Sequence, residues 1–379
     1  MVKPGINNID SCLELFEGKR VGLITNPTGV DTGLNSTIDI LKDRINLVRL
    51  FSPEHGVRGD IQAGVAVDNY TDEKSGLPVC SLYGRNKKPS EEMLKDIDVL
   101  AFDIQDVGSR LYTYLYTMAY CMQSCARYGK AFIVFDRPNP LGGEAVEGNL
   151  IQEGFTSFVG LYPIPYRYGL TIGETAVLFN QEFGIGCELQ VIPMEGWSRR
   201  LFYEQTGLIW VMPSPNMPTV SSAFVYNCSC IFEGTNISEG RGTTKPFEFV
   251  GVPWLDAYRL ADLMNGLALK GVLFRPAYFT PTFSKHAGTL CRGVQIHVTD
   301  RAGFSAVETG LHLLHTIKRL SGENFQYLEA YTASGKPMID YNTGSDYIRT
   351  HEFSPQEIND LWTAQAKEFA LRKAKYHIY

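Results

Sequence analysis

Polar side chains that can take part in catalysis follow five short apolar runs of this sequence. They lie in the segments TNPTG, SPEHG, DIQDVGSR, DRPNP and SPNMP. Taken alone, each is more typical of a turn anchor or a helix cap than of catalysis. Their recurrence after five runs favours one shared site, for which the candidates are Asn26, Ser52, Glu54, His55, Asp103, Gln105, Asp106, Arg110, Asp136, Arg137, Asn139, Ser214 and Asn216.

Glu54 is the strongest candidate for acid–base chemistry. It follows the apolar run LVRLF and precedes a His-Gly turn. A carboxyl group packed against apolar side chains keeps its proton toward neutral pH, which is the state that a general acid needs. The structural alternative is a buried salt bridge from Glu54 to Arg58 or Arg110. His55 can donate a hydrogen bond to a substrate, orient a carboxylate, or serve only the turn.

A second polar segment, FEGTNISEGRGTTKPF at 232–247, lies far along the chain. Its acids Glu233 and Glu239 and its cations Arg241 and Lys245 stand among glycines and hydroxyl side chains. A loop of this composition can present backbone N–H groups and a guanidinium to an anionic ligand. Long structured loops usually have a function, so we favour this interpretation over an irregular loop held by its own hydrogen bonds.

The apolar runs that precede these polar residues predict a parallel α/β sheet. They are nearly continuous and rich in β-branched and aromatic residues, as strands covered on both faces are. Predicted helices lie between them at 37–43, 112–128 and 173–183. In such a sheet, ligands bind outside the carboxyl ends of the strands, near the point where the strand order reverses. The predicted strands are 21–25, 47–51, 99–104, 131–135, 189–193 and 209–212.

The pattern changes after the segment SPNMPT, which ends at Thr219. A Gly- and Thr-rich stretch, strand-like runs such as GVQIHV at 293–298, and two helical segments follow. We therefore predict two domains. Residues 1–222 carry the parallel sheet, and residues 223–379 form a smaller α+β domain.

Composition and charge limit the class of protein. The chain has 379 residues, 44% of them hydrophobic, with 35 Lys and Arg against 41 Asp and Glu, so its formal charge is 35 − 41 = −6. This profile is typical of a folded soluble protein and argues against a nucleic-acid partner. No run approaches the ~18 apolar residues of a membrane span, and the first ten residues contain no apolar signal segment. We expect a cytoplasmic protein, or an exported or periplasmic one if a leader is missing.

The eight cysteines are too sparse for a disulfide framework. Cys121 and Cys125 lie four apart on a predicted helix, and Cys228 and Cys230 alternate on a predicted strand. We interpret both pairs as small buried hydrophobes rather than as metal or redox groups.

The sequence lacks the common cofactor and nucleophile motifs. A dinucleotide fingerprint, a P-loop and a Gly-x-Ser-x-Gly elbow are all absent. We therefore predict no cofactor and no metal. A metal-dependent hydrolase that uses His55, Asp103, Asp106 and Asp136 is one alternative, although their spacing fits no metal motif. A non-catalytic protein that binds cell-wall sugars is another.

Longer motifs resemble a known family along essentially the whole chain, from Val2 to Tyr379. The motifs NPTGVD, LFSPEHGVRGD, SLYG, DIQDVGSRLYTY, DRPNPLGG, SFVGLYPIPYRYGLTIGE, SPNMPT and EGTNISEGRGTTKPFE occur in this order. Together they are similar to the exo-β-N-acetylmuramidase (NamZ-type) family of bacterial glycoside hydrolases.

The resemblance implies a fold, an activity and a catalytic residue. The fold is a Rossmann-like, doubly wound, mostly parallel sheet in a catalytic domain, joined to a smaller α+β domain that completes the active-site cleft. The activity removes N-acetylmuramic acid from the non-reducing end of peptidoglycan fragments, including muropeptides, without metal or nucleotide. The proposed catalytic glutamate of the Glu-His-Gly motif is Glu54 here. Many members carry an export signal, and this chain shows none.

On this hypothesis Glu54 protonates the leaving oxygen. Asp103, Asp106 or Asp136 is the second carboxylate or holds Glu54 and Arg110 in place. Arg110 or Arg241 binds the lactyl carboxylate of the sugar, and Tyr112 or Tyr114 supplies a stacking face or a hydroxyl. The sequence leaves open retention, inversion or participation by the substrate's acetamido group. The further substrate-binding candidates are Asn26, Arg137, Asn139, Asn216, Glu233 and Glu239.

Overall fold

A seven-stranded sheet forms the first part of the molecule. The computed structural model describes residues 1–59, 69–84, 87–330, 332–333, 335–352 and 354–379, so Asp60 at the end of LFSPEHGVRGD lies outside it. The strands are β1 (Val21–Thr25), β2 (Leu47–Ser52), β3 (Tyr70–Thr71), β4 (Pro78–Ser81), β5 (Val99–Asp103), β6 (Ala131–Phe135) and β7 (Glu188–Ile192). Their order is β3-β4-β2-β1-β5-β6-β7, and all neighbours run parallel except β3 and β4.

Helices cover both faces of this sheet. They are α1 (Thr37–Arg44), α2 (Glu91–Leu94), α3 (Tyr114–Tyr128) and α4 (Ile172–Glu182). Successive strand residues point to opposite faces. Leu23 and Ala101 therefore join the core that contains α1, while Ile24 and Phe102 join the core that contains α3 and α4. This double coverage explains why the strands are continuous apolar runs.

The second part of the molecule contains a three-stranded antiparallel sheet and most of the remaining helices. In the order β8-β10-β9, β9 is an edge strand and carries Pro276 opposite Val294. The elements are α5 (Val220–Ser229), β8 (Phe249–Val252), α6 (Ala257–Gly266), β9 (Val272–Phe279), β10 (Cys291–Val298), α7 (Ala306–Ser321), α8 (Met338–Thr343), α9 (Tyr347–Thr350) and α10 (Pro355–Lys373). Short 3-10 helices lie at Gly5–Ser11, Leu13–Phe16, Tyr203–Thr206, Cys230–Gly234, Gly322–Asn324 and Ala374–Tyr376.

The fold class predicted from the sequence is confirmed. A mostly parallel α/β sheet is followed by a smaller α+β part with an antiparallel sheet. The proposed division into residues 1–222 and 223–379 stays a prediction, and residue 222 lies inside α5. In the described part of the chain, every helix is too short or too polar to cross a lipid bilayer.

Two sequence-based predictions of strands are wrong. Residues 209–212 form a loop in which Ile209 is 61% exposed and Met212 is 51% exposed. The loop is held by side chains, with Tyr203 Oη donating to the Ile209 carbonyl at 3.0 Å. Cys228 lies in α5 and Cys230 begins the next 3-10 helix, so these two residues are helical and do not alternate on a strand. Both are buried, and burial raises the pKa of each thiol.

Candidate active site

A cavity of about 230 Å³ lies beyond the carboxyl ends of β2 and β5 and is lined by residues from both parts of the molecule. Glu54 and His55 reach it from the turn after β2, and Tyr112 to Tyr114 from the segment leading into α3. The remaining walls come from Tyr83, from residues 158–159 and 214–217, from α5 and from the 232–247 loop. The lining residues are Glu54, His55, Tyr83, Leu111, Tyr112, Thr113, Tyr114, Phe158, Val159, Ser214, Asn216, Met217, Tyr226, Glu233, Arg241 and Phe247.

The Glu54 carboxylate is partly buried among hydroxyl groups. Thr113 Oγ1 donates to Glu54 Oε2 at 3.3 Å, and the Tyr83 hydroxyl also lies at the carboxylate. Burial, reinforced by the negative charge of Glu54, raises the pKa of Tyr83. Because Glu54 lines the cavity, its carboxyl group can exchange a proton with a group bound there.

His55 adopts a backbone conformation that few side chains accept. Its φ is +76°, in the left-handed region, and its residue is only 7% exposed. The turn closes with Gly56 N–H donating to the Pro53 carbonyl at 3.3 Å. Histidine is among the residues that tolerate this region best after glycine. The conformation places two consecutive polar side chains, Glu54 and His55, at the cavity.

Aromatic rings form one side of the cavity in an edge-to-face series. Tyr112 contacts Tyr114 with ring centroids 5.0 Å apart and Tyr226 at 6.0 Å, and Tyr226 contacts Phe247 at 4.7 Å. Burial raises the pKa of Tyr112 and of Tyr226 well above the ordinary value. The Tyr112 hydroxyl lies beside Ser214 and makes no well-aligned hydrogen bond to a described residue.

A cluster of alternating charges lies on the wall supplied by the second part of the molecule. Arg241 Nε lies 3.0 Å from Glu233 Oε1 and 3.4 Å from Glu239 Oε1. Lys285 Nζ lies 2.6 Å from Glu239 Oε2. Burial opposes the Arg241 charge, but the two carboxylates raise the pKa of Arg241 above its ordinary value. Arg241 is thus a fixed cation at the cavity, with its side chain 25% exposed.

Several predicted site residues anchor the strand ends instead of lining the cavity. Asp103 is fully buried and binds Arg137 at 2.5 Å and 2.8 Å, while Arg137 also donates to the Val30 carbonyl at 2.8 Å. Asn26 accepts from Thr28 N–H at 2.9 Å and donates to the Pro213 carbonyl at 3.2 Å. Their polar groups are therefore already engaged by protein.

The polar residues after β6, and Asp106, also bind protein partners instead of lining the cavity. Asn139 donates to the Leu170 carbonyl at 2.9 Å. Asp136 accepts from Thr171 Oγ1, Gly173 N and Tyr379 Oη, each at 2.7 Å, and burial raises its pKa to about 7. Asp106 accepts from Tyr168 and from Gly108 N–H at 2.6 Å, and burial raises its pKa to about 6. Its Oδ1 atom has no partner among the described residues.

The prediction that Arg110 binds a substrate carboxylate does not agree with its position. Its side chain is fully buried and stacks on Tyr166 at 4.1 Å. The guanidinium donates to Asn149, to the Ile164 carbonyl at 3.0 Å and to the Asn342 carbonyl at 3.2 Å. Burial lowers the pKa of Arg110. Arg110 therefore ties three backbone segments together.

The geometry also fails to support the alternative metal site. Asp103, Asp106 and Asp136 each bind different protein partners, and only His55 of the four proposed ligands lines the cavity. Within the described ranges, no three His, Cys, Asp or Glu side chains come close enough to hold a metal ion.

Models of both halves of one family match the chain. Residues 21–221 match the N-terminal domain, and residues 224–379 the C-terminal domain, of the exo-β-N-acetylmuramidase NamZ. The chain belongs to the NamZ family. This family assignment confirms the resemblance seen in the motifs, and it places the chain among the glycosidases.

Individual relatives are similar to this chain over nearly its full length. Peptidoglycan β-N-acetylmuramidase NamZ of Bacillus subtilis (strain 168) is 53% identical over 369 residues, which are 96% of this chain and 88% of the relative. Two crystal structures of DUF1343 family proteins from Bacteroides fragilis NCTC 9343 are also similar. One has a TM-score of 0.91 at 42% identity and the other 0.77 at 30% identity, and each covers 100% of this chain and 99% of its own.

Sequence reasoning missed several aromatic residues of the cavity in this NamZ family member. Tyr83 and Phe158 lie in the motifs SLYG and SFVG. These motifs contributed to the family resemblance, but the sequence predicted no role at the site for the two rings. Tyr226 and Phe247 look like helix and loop packing in the sequence. Tyr226 is placed at the cavity beside Tyr112, which is more than 100 positions away, and Phe247 packs on Tyr226.

Proposed function

We propose that this protein is an exo-acting glycosidase that releases N-acetylmuramic acid from the non-reducing end of peptidoglycan fragments, with Glu54 as the general acid. Membership of the NamZ family supports the activity. The observation that carries the role of Glu54 is its position. It is a partly buried carboxylate in a cavity lined by aromatic rings, and the hydroxyl groups of Thr113 and Tyr83 lie at it.

In the proposed reaction, Glu54 gives its proton to the glycosidic oxygen as the bond to the anomeric carbon breaks. The anomeric carbon gains oxocarbenium character and then takes the oxygen of water, whose proton returns to the protein. Glu233 is the other carboxylate on the lining of the described cavity. We therefore assign the second role to Glu233 or to the substrate's acetamido oxygen, in place of the buried Asp103, Asp106 and Asp136.

We assign recognition of the lactyl carboxylate to Arg241. Its guanidinium lies on the cavity lining, whereas that of Arg110 is enclosed. Glu233 and Glu239 fix the orientation of Arg241, and a planar guanidinium can bind a carboxylate through two hydrogen bonds. This assignment explains how a glycosidase could distinguish N-acetylmuramic acid from N-acetylglucosamine.

The test is hydrolysis of a chromogenic β-N-acetylmuramic acid glycoside beside its N-acetylglucosamine counterpart. We expect wild-type protein to release chromophore from the muramic substrate alone, with chelator present or absent. Glu54→Gln keeps the shape of the side chain but has no proton to give, so kcat should fall at least about a hundredfold. Glu73→Gln changes an exposed glutamate outside the cavity and should leave kcat unchanged.

Two results would contradict the proposal. Wild-type turnover by Glu54→Gln would remove Glu54 from the role of acid. Tight binding of muropeptides by wild-type protein, without release of any sugar during long incubation, would identify a sugar-binding protein instead.

A further inference from the structure

Two lysine ammonium groups lie over aromatic rings at one wall of the cavity. Phe158 lines the cavity, and Lys87 Nζ lies 4.1 Å from the centroid of its ring. Phe158 stacks on Tyr120 with centroids 6.0 Å apart, and Lys88 Nζ lies 4.7 Å from the centroid of Tyr120. We call Lys87, Lys88, Phe158 and Tyr120 the lysine shelf. Its cations are held in place by the ring faces.

The charges of the lysine shelf differ from that of Arg241. Arg241 is paired with two glutamates. Lys88 Nζ instead donates to the neutral amide oxygen of Gln123 at 2.8 Å. Within the described residues, neither Lys87 nor Lys88 forms an ion pair, unlike the five lysines that do. The shelf thus presents two positive charges that no carboxylate among the described residues pairs with.

The size of the cavity indicates where such charges would act. A volume of about 230 Å³ is below the range of roughly 300–1,000 Å³ that is usual for drug-sized ligands. The cavity therefore suits one terminal sugar, and the remainder of a fragment must continue along its walls. Beyond the terminal sugar, peptidoglycan fragments carry carboxylates on the lactyl groups of later muramic acid units and on stem peptides.

We propose that the lysine shelf binds a carboxylate of the substrate on the leaving side of the scissile bond. This inference rests on the proposed function and extends it, because it assigns a determinant of substrate length and charge outside the residues that act on the terminal sugar. Phe158 offers an apolar face beside the two cations, which suits a sugar ring that bears an acidic substituent. Since Lys88 is exposed and Lys87 only partly buried, the attraction should weaken as salt screens it.

The experiment compares three substrates at low and high salt. The first is the chromogenic muramic acid glycoside with a neutral leaving group. The second is a peptide-free fragment of alternating muramic acid and glucosamine units, and the third is the same fragment with stem peptides. For Lys87→Ala/Lys88→Ala we expect an unchanged KM on the chromogenic substrate and a KM raised about threefold to tenfold on an acidic fragment, with less salt dependence than wild type.

The control variant is Lys367→Ala/Lys375→Ala, which removes the same charge from exposed positions away from the cavity lining. It should match wild type on all three substrates. A stem peptide is joined to the lactyl group through an amide, which removes the lactyl carboxylate. An effect of the shelf variant on the peptide-free fragment alone would therefore identify the lactyl carboxylate, and an effect on the peptide-bearing fragment alone would identify a carboxylate of the stem peptide. An effect on both would show that the shelf binds either carboxylate.

Other outcomes overturn the inference. Equal changes of KM on all three substrates, or no change on any, would show that the lysine shelf does not bind the substrate on the leaving side of the scissile bond. The proposed function would be unaffected by that result. If wild-type protein hydrolysed none of the three, the proposed function would itself be wrong, and the shelf with it. Binding of the fragments to Glu54→Gln, with and without the shelf substitutions, gives the same comparison without turnover.

Discussion

Two carboxylic acids show how the surroundings of a residue determine its role. Glu54 is partly buried at a cavity, and hydroxyl donors hold it there. Asp106 is enclosed by Tyr168 and by the Gly108 turn, and burial raises its pKa to about 6. A carboxyl group in that position cannot touch a substrate in the cavity. We therefore treat Asp106 as a residue that fixes the segment between β5 and α3.

The pKa of Asp106 predicts a change in stability with pH. In the unfolded chain its pKa is near 3.8, whereas in the folded protein it is about 6. Between these values the unfolded chain releases a proton that the folded protein keeps, so this group makes the free energy of unfolding fall as pH rises. The contribution of this group to the free energy of unfolding should fall by roughly 2–3 kcal/mol. Asp106→Asn has no carboxyl group to titrate, so this pH dependence should be absent from the variant.

Denaturant titrations of both proteins at several pH values from 4 to 7 check this expectation. The free energy of unfolding of wild type minus that of Asp106→Asn should decrease across the window. A difference that is the same at every pH would mean that Asp106 ionises normally in the folded protein.

The turns after the strands divide into two kinds of element. The turn after β2 and the segment leading into α3 place side chains at the cavity, whereas the turn after β6 anchors the start of α4. There Thr171 Oγ1 accepts from Glu174 N–H at 3.2 Å and donates to Asp136 at 2.7 Å, and Glu174 accepts from Thr171 N–H in return. This capping box fixes α4 to the end of β6.

Removing the hydroxyl of Thr171 should weaken this anchor. Thr171→Val keeps the shape but leaves Glu174 N–H without its acceptor and removes one of the donors to Asp136, so we expect the free energy of unfolding to fall by about 1–2 kcal/mol. Thr171→Ser retains the oxygen and should cost less than about half of that. Equal values for the two variants, measured by urea titration, would show that packing rather than the cap stabilises this end of α4.

The sequence predicts most strands of the central sheet, for a clear physical reason. β1, β2, β5 and β6 agree with their apolar runs because the strands in the middle of a doubly covered sheet must be apolar on both faces. The edge strand β7 also overlaps its predicted run, although Glu188 and Gln190 are exposed there. The run at 209–212 is equally apolar, but half of it faces solvent. β3 and β4 have only two and four residues, too few to show a pattern.

The cavity is a property of the whole molecule, and its composition explains the limits of sequence reasoning. Glu54, Asn216 and Arg241 were predicted from their types and positions, and all three line the cavity. Asp103 and Arg110 have the same types and similar positions, but they are engaged by partners 34 to 232 residues away. A polar residue that follows a strand is therefore predicted to lie at the edge of the sheet where the strands end. Whether it lines the cavity or anchors the backbone depends on its long-range contacts.

Long-range contacts also join the two parts of the chain. Lys373, in the last turn of α10, is buried and donates to the carbonyls of Gly143 and Gly169, each at 2.7 Å. Lys373→Met keeps the apolar stem but leaves both carbonyls without this donor. We expect the free energy of unfolding to fall by about 1–3 kcal/mol.

The matched control is Lys375→Met at an exposed position two residues later, which should change the stability by less than about 0.5 kcal/mol. Thermal and urea unfolding of both variants would test the expectation. Equal stability of the two variants would mean that water replaces the ammonium group at no cost.

The open edge of the three-stranded sheet bears on how the protein behaves when it is concentrated. An unpaired strand edge can recruit a strand from another molecule, and aggregation of folded proteins often begins there. Along β9 the edge contains Pro276, which has no N–H to donate, and the neighbouring Arg275 is an exposed charge. Proline and charge at an edge both disfavour the addition of a strand. The β9 edge thus carries its own protection against growing into a larger sheet.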